Sequence, residues 1–191
     1  MKIYNIEEYG FERALRGLAR SYNQDLKNMP EVALKLAPKD RGHNKFLRQI
    51  MVWMEVEAPR FWWSEFDTYK IGTVAQSDST MHMLKRQPLE QGNFEYGCNQ
   101  QYLEILNSLI EGDYNIACLK NQLPEGFIQG RTLSMNYAVL REIILQRWDH
   151  KLPQWQTFCR EVMLNLKHLE YLGLPLSITV PILEQTSAKG A

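Results

Sequence analysis

The chain has 191 residues, enough for one domain with a sizeable core. Its 22 basic and 22 acidic side chains cancel, which argues against nucleic acid as the main partner, because phosphate neutralisation usually leaves a basic excess or stripe. No apolar run approaches the roughly 18 residues that span a bilayer, and MKIYNIEEYGFERAL lacks a charged-then-apolar leader, so the sequence predicts no membrane partner and a soluble, cytoplasmic protein.

In chain order, Lys2 to Ile6 reads as a short strand, and the three-and-four spacing of Phe11, Ala14, Leu15, Leu18 and Tyr22 predicts a helix from Glu7 to Asp25. Pro30 suits the first turn of a short helix over Glu31 to Leu36, and Pro38 to Gly42 form a turn. The best strand is Arg48 to Glu57, with Ile50, Val52, Met54 and Val56 on one face and Gln49, Met51, Trp53 and Glu55 on the other. Pro59 starts a helical turn through Phe61, Trp62 and Trp63, and Thr68 to Ala75 reads as another strand or an extended loop. Ser77 to Thr80 is a polar knot, followed by a surface loop over Gln87 to Gly97. Helices are predicted over Asn99 to Glu111 and Tyr114 to Gln122, then a strand over Phe127 to Leu133. A helix over 136–147 and another from about Pro153 to Tyr171 follow. After Gly173 the chain is proline-broken and ends in small polar residues. This reads as one helix-rich α+β domain over residues 1–173 with a small antiparallel sheet, and a docked extension with a loose tail over 174–191.

The stretch TLSMNYAVLREIILQRWDHKLPQW, Thr132 to Trp155, organises the rest. Val139, Leu140, Ile143, Ile144 and Leu145 give a wide apolar helix face. Asn136 is placed to cap its start, and Arg147 meets the negative end of its dipole. Two readings of Arg147 stand: a grip for an anion beside a polar elbow, or a C-terminal cap paired with Asp149. The aromatics Trp53, Phe61, Trp62, Trp63, Phe66 and Tyr69 form a core or subunit interface, or stack a flat ring.

Other chemistry is sparse. There is no GxGxxG, GxxxxGK[ST] or GxSxG, and the four histidines are far apart with no HExxH, so no metal is expected. Cys98, Cys118 and Cys159 make an odd count with no CxxC, which suits a reducing compartment. The nearest basic cluster, Lys39, Arg41, Lys45 and Arg48, reads as a solvated face.

Leu123–Pro124, Thr132, Asn136, Arg147, Asp149 and Gln154–Trp155 form an ordered set. Upstream, His43 and Phe46 precede the Ile50 to Glu57 strand, the Ser-rich segment ends in SDSTMH, and the first helix carries Ala19, Arg20 and Tyr22. In this set, over roughly residues 1 to 170, the chain resembles the flavin-dependent thymidylate synthases. The resemblance implies reductive methylation of dUMP, with carbon from a folate and hydride from reduced FAD, in a homotetramer whose sites lie between subunits. It implies that Arg147 grips and polarises the pyrimidine, that Arg60 and Ser79 stand at nucleotide-touching positions, and that His43 and Asn136 belong to the cofactor side. The chain also departs from the family. The Arg-His-Arg that holds flavin falls on Trp63, Ser64 and Glu65, a phosphate-contacting Arg on Met81, another Arg on Ala138 and a second Asn on Glu142. Arg60, Lys70, Lys85 or Arg86 are the available replacement cations. The alternative is a non-catalytic oligomeric nucleotide-binding or structural protein on the same fold.

Overall fold

The computed structural model describes residues 1–84 and 87–189, with side chains to residue 182. Lys85 and Arg86 therefore lie outside the described residues. Strand β1 (Lys2–Tyr9) leads into helices α1 (Phe11–Tyr22) and α2 (Met29–Leu36), then a 3-10 turn over Lys45–Gln49. Strand β2 (Met51–Pro59) runs directly into α3 (Arg60–Phe66) and a 3-10 turn over Asp67–Tyr69. Next come β3 (Thr73–Ser77), α4 (Thr80–Leu84), α5 (Gln100–Glu111) and α6 (Ile116–Gln122). Strand β4 (Ile128–Asn136) enters α7 (Tyr137–Arg147), followed by α8 (Pro153–Asn165), a 3-10 turn over Leu169–Leu172 and α9 (Leu176–Lys189).

The sheet is antiparallel throughout, in the order β1-β2-β4-β3. Alternation decides which side packs. Val52, Met54 and Val56 of β2 and Leu133 and Met135 of β4 are fully buried, whereas Trp53, between them, is 46% exposed. The helices cover that inner face. Ala14, Leu15 and Leu18 of α1, Leu140, Ile143 and Ile144 of α7, and Trp155, Phe158 and Val162 of α8 meet Trp62 and Phe66 of α3 in one core. A smaller cluster joins α4, α5 and α6 through Leu84, Leu103, Leu106 and Leu119, with Phe94 and Phe127. Among the described residues no helix is long and apolar enough to cross a membrane.

Several predicted boundaries move: the segment expected to be extended from Thr68 begins as a 3-10 turn and becomes strand only at Thr73, and three larger changes follow. The first helix begins at Phe11, not Glu7, because Glu8 and Tyr9 pair with Val52 and Met51 as strand. The Glu8 carboxylate turns inward and accepts from the Tyr137 hydroxyl and the Lys167 amide. Burial, and then Glu8 itself, push the Tyr137 pKa far above the usual phenol value, so it stays a donor. The helix expected to reach Tyr171 stops at Asn165 and resumes as the 3-10 turn. The tail expected to be proline-broken is helical from Leu176, with Pro181 inside it. A proline there costs about 3 kcal/mol. Burial of Ile178 and Ile182, one turn apart on the core side, offsets it.

Gly173 ends the 3-10 turn at φ +64°, and a Cβ there would lie 2.4 Å from the carbonyl carbon of Ala37. Gly173→Ala is expected to destabilise the protein by more than about 2 kcal/mol. Urea unfolding with an unchanged m-value checks this.

Candidate functional site

Helix α7 carries the site because its sequence locks it at both ends. Asn136 caps the start as predicted, its side-chain oxygen accepting from the Val139 amide at 3.0 Å. Leu140, Ile143 and Ile144 hold the helix in the core, so the direction of its last residue is fixed. That residue, Arg147, has only 18% of its side chain exposed.

The Arg147 guanidinium is gripped from three sides. Its Nε donates to the Tyr69 hydroxyl at 2.8 Å, and that hydroxyl donates to Gln146 Oε1 at 2.9 Å. Its Nη1 donates to Glu65 Oε2 at 3.2 Å. Its carbon sits 4.7 Å from the Trp155 ring centroid and 5.6 Å from that of Tyr69. Glu65 Oε2 also accepts from Trp155 Nε1 at 2.7 Å and faces His150 Nε2 at 3.7 Å. His150 Nδ1 accepts from the Leu152 amide, so its proton sits on the nitrogen that faces Glu65. The ion pair predicted with Asp149 does not form; Glu65, 82 positions earlier in the chain, takes its place.

Beside Tyr69 and Gln146 a largely apolar hollow of about 430 Å³ opens. Arg48, Gly72, Asn136 and Val139 also line it. A Cβ at Gly72 would come within 2.5 Å of Val139 Cγ2, so the turn before β3 lies directly on α7 and walls the hollow. The hollow joins the two ends of α7, which eleven residues set about 16 Å apart. It thus brings Asn136 and the neighbour of Arg147 to one surface.

The other predicted site residues lie apart from this group. His43 is exposed in the turn after α2. Arg60 donates to the Leu123 carbonyl and pairs with Glu125, both at 3.2 Å, which ties α3 to the segment before β4. Ser79 is exposed, and its carbonyl accepts the His82 and Met83 amides as α4 begins. Two further partners lay outside the sequence reading. Arg131 stacks 4.3 Å over Trp63 and pairs with Asp67 at 2.7 Å. Tyr69 was visible only as one aromatic among several, and no spacing rule links it to Arg147. The aromatic cluster itself is core. Trp62, Trp63, Phe66, Trp155 and Phe158 are buried together, while Trp53 stands on the outer sheet face.

The positions where the resemblance puts a flavin-holding signature do not fit the diphosphate of FAD. Trp63 is buried, and its Nε1 donates to the Gln129 carbonyl at 2.8 Å. Ser64 carries no charge, and Glu65 is an anion. The neighbouring arginines already have carboxylates of this chain: Arg60 has Glu125, Arg131 has Asp67 and Arg147 has Glu65. Nor does a thiol nucleophile serve the site. Burial pushes the Cys159 pKa up to about 12, so it stays protonated at neutral pH.

No family model matches the sequence. No curated protein matches it. Solved structures do match in fold. The flavin-dependent thymidylate synthase ThyX from Helicobacter pylori, complexed with FAD and dUMP, superposes with a TM-score of 0.75 at 17% identity, over 90% of this chain and 97% of that one. The UMP/dUMP methylase PolB from Streptomyces cacaoi, bound with 5-Br dUMP, gives 0.64 at 11% identity, over 90% of this chain and 93% of that one. The chain therefore has a ThyX-like fold: helix-rich, around a small antiparallel sheet.

Arg147→Ala is expected to cost about 2 kcal/mol, less than a fully buried pair because Glu65 keeps the Trp155 donor and is partly solvated. A double-mutant cycle with Glu65→Gln, by denaturant unfolding, should give a coupling of about 1 kcal/mol. In thiol labelling of the native protein, exposed Cys118 is expected to react first and Cys159 only after unfolding.

Proposed function

We propose that this protein binds a pyrimidine nucleotide at the hollow along α7, as a diverged protein of the ThyX-like fold, and that it does so without the family's flavin diphosphate site. The observation that carries the reading is the junction at the foot of α7. There Tyr69, held by the rigid Arg147 guanidinium, lines an apolar hollow whose far rim carries Asn136. Flat rings favour such a surface, with a few polar groups to orient them. Arg48, exposed on the rim, has no carboxylate partner among the described residues and suits the ligand's phosphate. The solved structures of the same fold hold dUMP, or 5-Br dUMP, which supports a pyrimidine nucleotide here.

A second reading keeps catalysis: reductive methylation of dUMP, or a related modification, with FAD and a folate carbon donor. The frame from Asn136 to Arg147 and Gln154 favours it, since these residues match the family's order. The residues at 63–65 count against flavin, as do the internal carboxylates. His43 and Ser79 enter either reading only through a neighbouring subunit, because neither reaches the hollow within this chain. The assembly on both readings is a cytoplasmic homo-oligomer, a tetramer if it follows the family. The outer sheet face, with Tyr4, Trp53 and Val74 exposed, supports self-association.

Thermal unfolding with added ligands separates the readings. The nucleotide reading expects dUMP to raise Tm, Arg147→Ala to remove that shift, and the purified protein to be colourless and indifferent to FAD. A yellow protein with a flavin spectrum would replace it with the catalytic reading. Indifference to both ligands would leave only a structural role.

A further inference from the structure

Glu65 and Arg147 each keep one polar atom in reserve. The Glu65 hydrogen bonds from Arg147 and Trp155 both fall on Oε2, which also faces His150 at 3.7 Å, while Oε1 has no partner among the described residues and 38% of the side chain is exposed. Arg147 spends Nε on Tyr69 and Nη1 on Glu65, and Nη2 has no partner among the described residues. Neither Oε1 nor Nη2 is among the buried polar atoms left unpaired, so both face accessible space. The paired side chains thus offer a ligand one acceptor and one donor, held in place by Trp155, His150 and Tyr69.

We propose that Glu65 is the specificity-determining residue of this site: the Arg147 end takes the uncharged N–H and C=O edge of a ring and refuses a phosphate or carboxylate. The proposal rests on the pyrimidine reading for its ligand class. An anion approaching Arg147 meets a carboxylate in direct contact with it, so repulsion cancels most of the attraction. A ring N–H instead donates to Oε1, and the adjacent carbonyl accepts from Nη2. The imide edge of a uracil ring has this pattern at N3–H and its flanking carbonyls. The phosphate of a nucleotide then lies away from Arg147, on the Arg48 side of the hollow.

Calorimetric titration of the wild-type protein and of E65Q with 2′-deoxyuridine, its N3-methyl derivative, dUMP and inorganic phosphate tests this. In the wild type, N3-methylation is expected to weaken binding by about ten-fold or more, since it leaves Oε1 without its donor. Inorganic phosphate alone should bind E65Q about ten-fold more tightly than the wild type, and adding Arg147→Ala to E65Q should abolish the gain. Equal binding of deoxyuridine and its N3-methyl derivative by the wild type overturns the proposal. So does phosphate binding that E65Q leaves unchanged. If neither protein binds any nucleoside, the pyrimidine reading fails by itself, and the phosphate arm still decides the role of Glu65. If E65Q does not fold, the wild-type arms decide: phosphate must bind no better to the wild type than to Arg147→Ala.

Discussion

One carboxylate oxygen holds the candidate site together. Glu65 Oε2 faces donors from three places, the end of α7, the elbow at His150 and the first turn of α8. Those elements meet there only because Trp62, Phe66, Trp155 and Phe158 have already packed behind them. The order of dependence runs from apolar burial to position, and from position to charge pairing. A guanidinium that is mostly buried needs a partner, and desolvation makes the pair costly to break from either side. The aromatic rings on two sides of Arg147 fix its plane and direct its remaining donor outward.

The same logic recurs at other arginines. Arg60, Arg131 and Arg141, outside the Arg147 group, each meet an acidic side chain of this chain as well. A surface built this way holds phosphate weakly, since each incoming anion must compete with a carboxylate already in place. Arg48 on the rim and the exposed Lys70 are outside this pattern. The fold tolerates such a change of chemistry because its stability rests on the sheet and the helices over it, and the site is carried on their ends.

Much of the architecture was legible because its signals are local. The alternation of Ile50, Val52, Met54 and Val56 is a property of adjacent residues, and all four are buried. Asn136 caps its own helix through a bond three residues long, which spacing alone reveals. Boundaries failed where a distant partner outbid local preference. Glu7 to Tyr9 carry helical spacing but pair with β2, and Pro181 sits inside a helix that buried isoleucines sustain.

The sequence by itself determined a helix-rich α+β fold and a buried α7 with Asn136 at its head and Arg147 at its foot. Only the tertiary structure decided what Arg147 touches. Its partners Tyr69 and Glu65 lie 78 and 82 positions away in the chain, beyond any periodicity or capping rule, and the choice of Glu65 over the nearby Asp149 was made by how α3 and α8 pack. Spacing reports the face on which a side chain leaves its helix. What stands opposite that face depends on the whole core, because packing sets the distance and water exclusion that give an ion pair its strength.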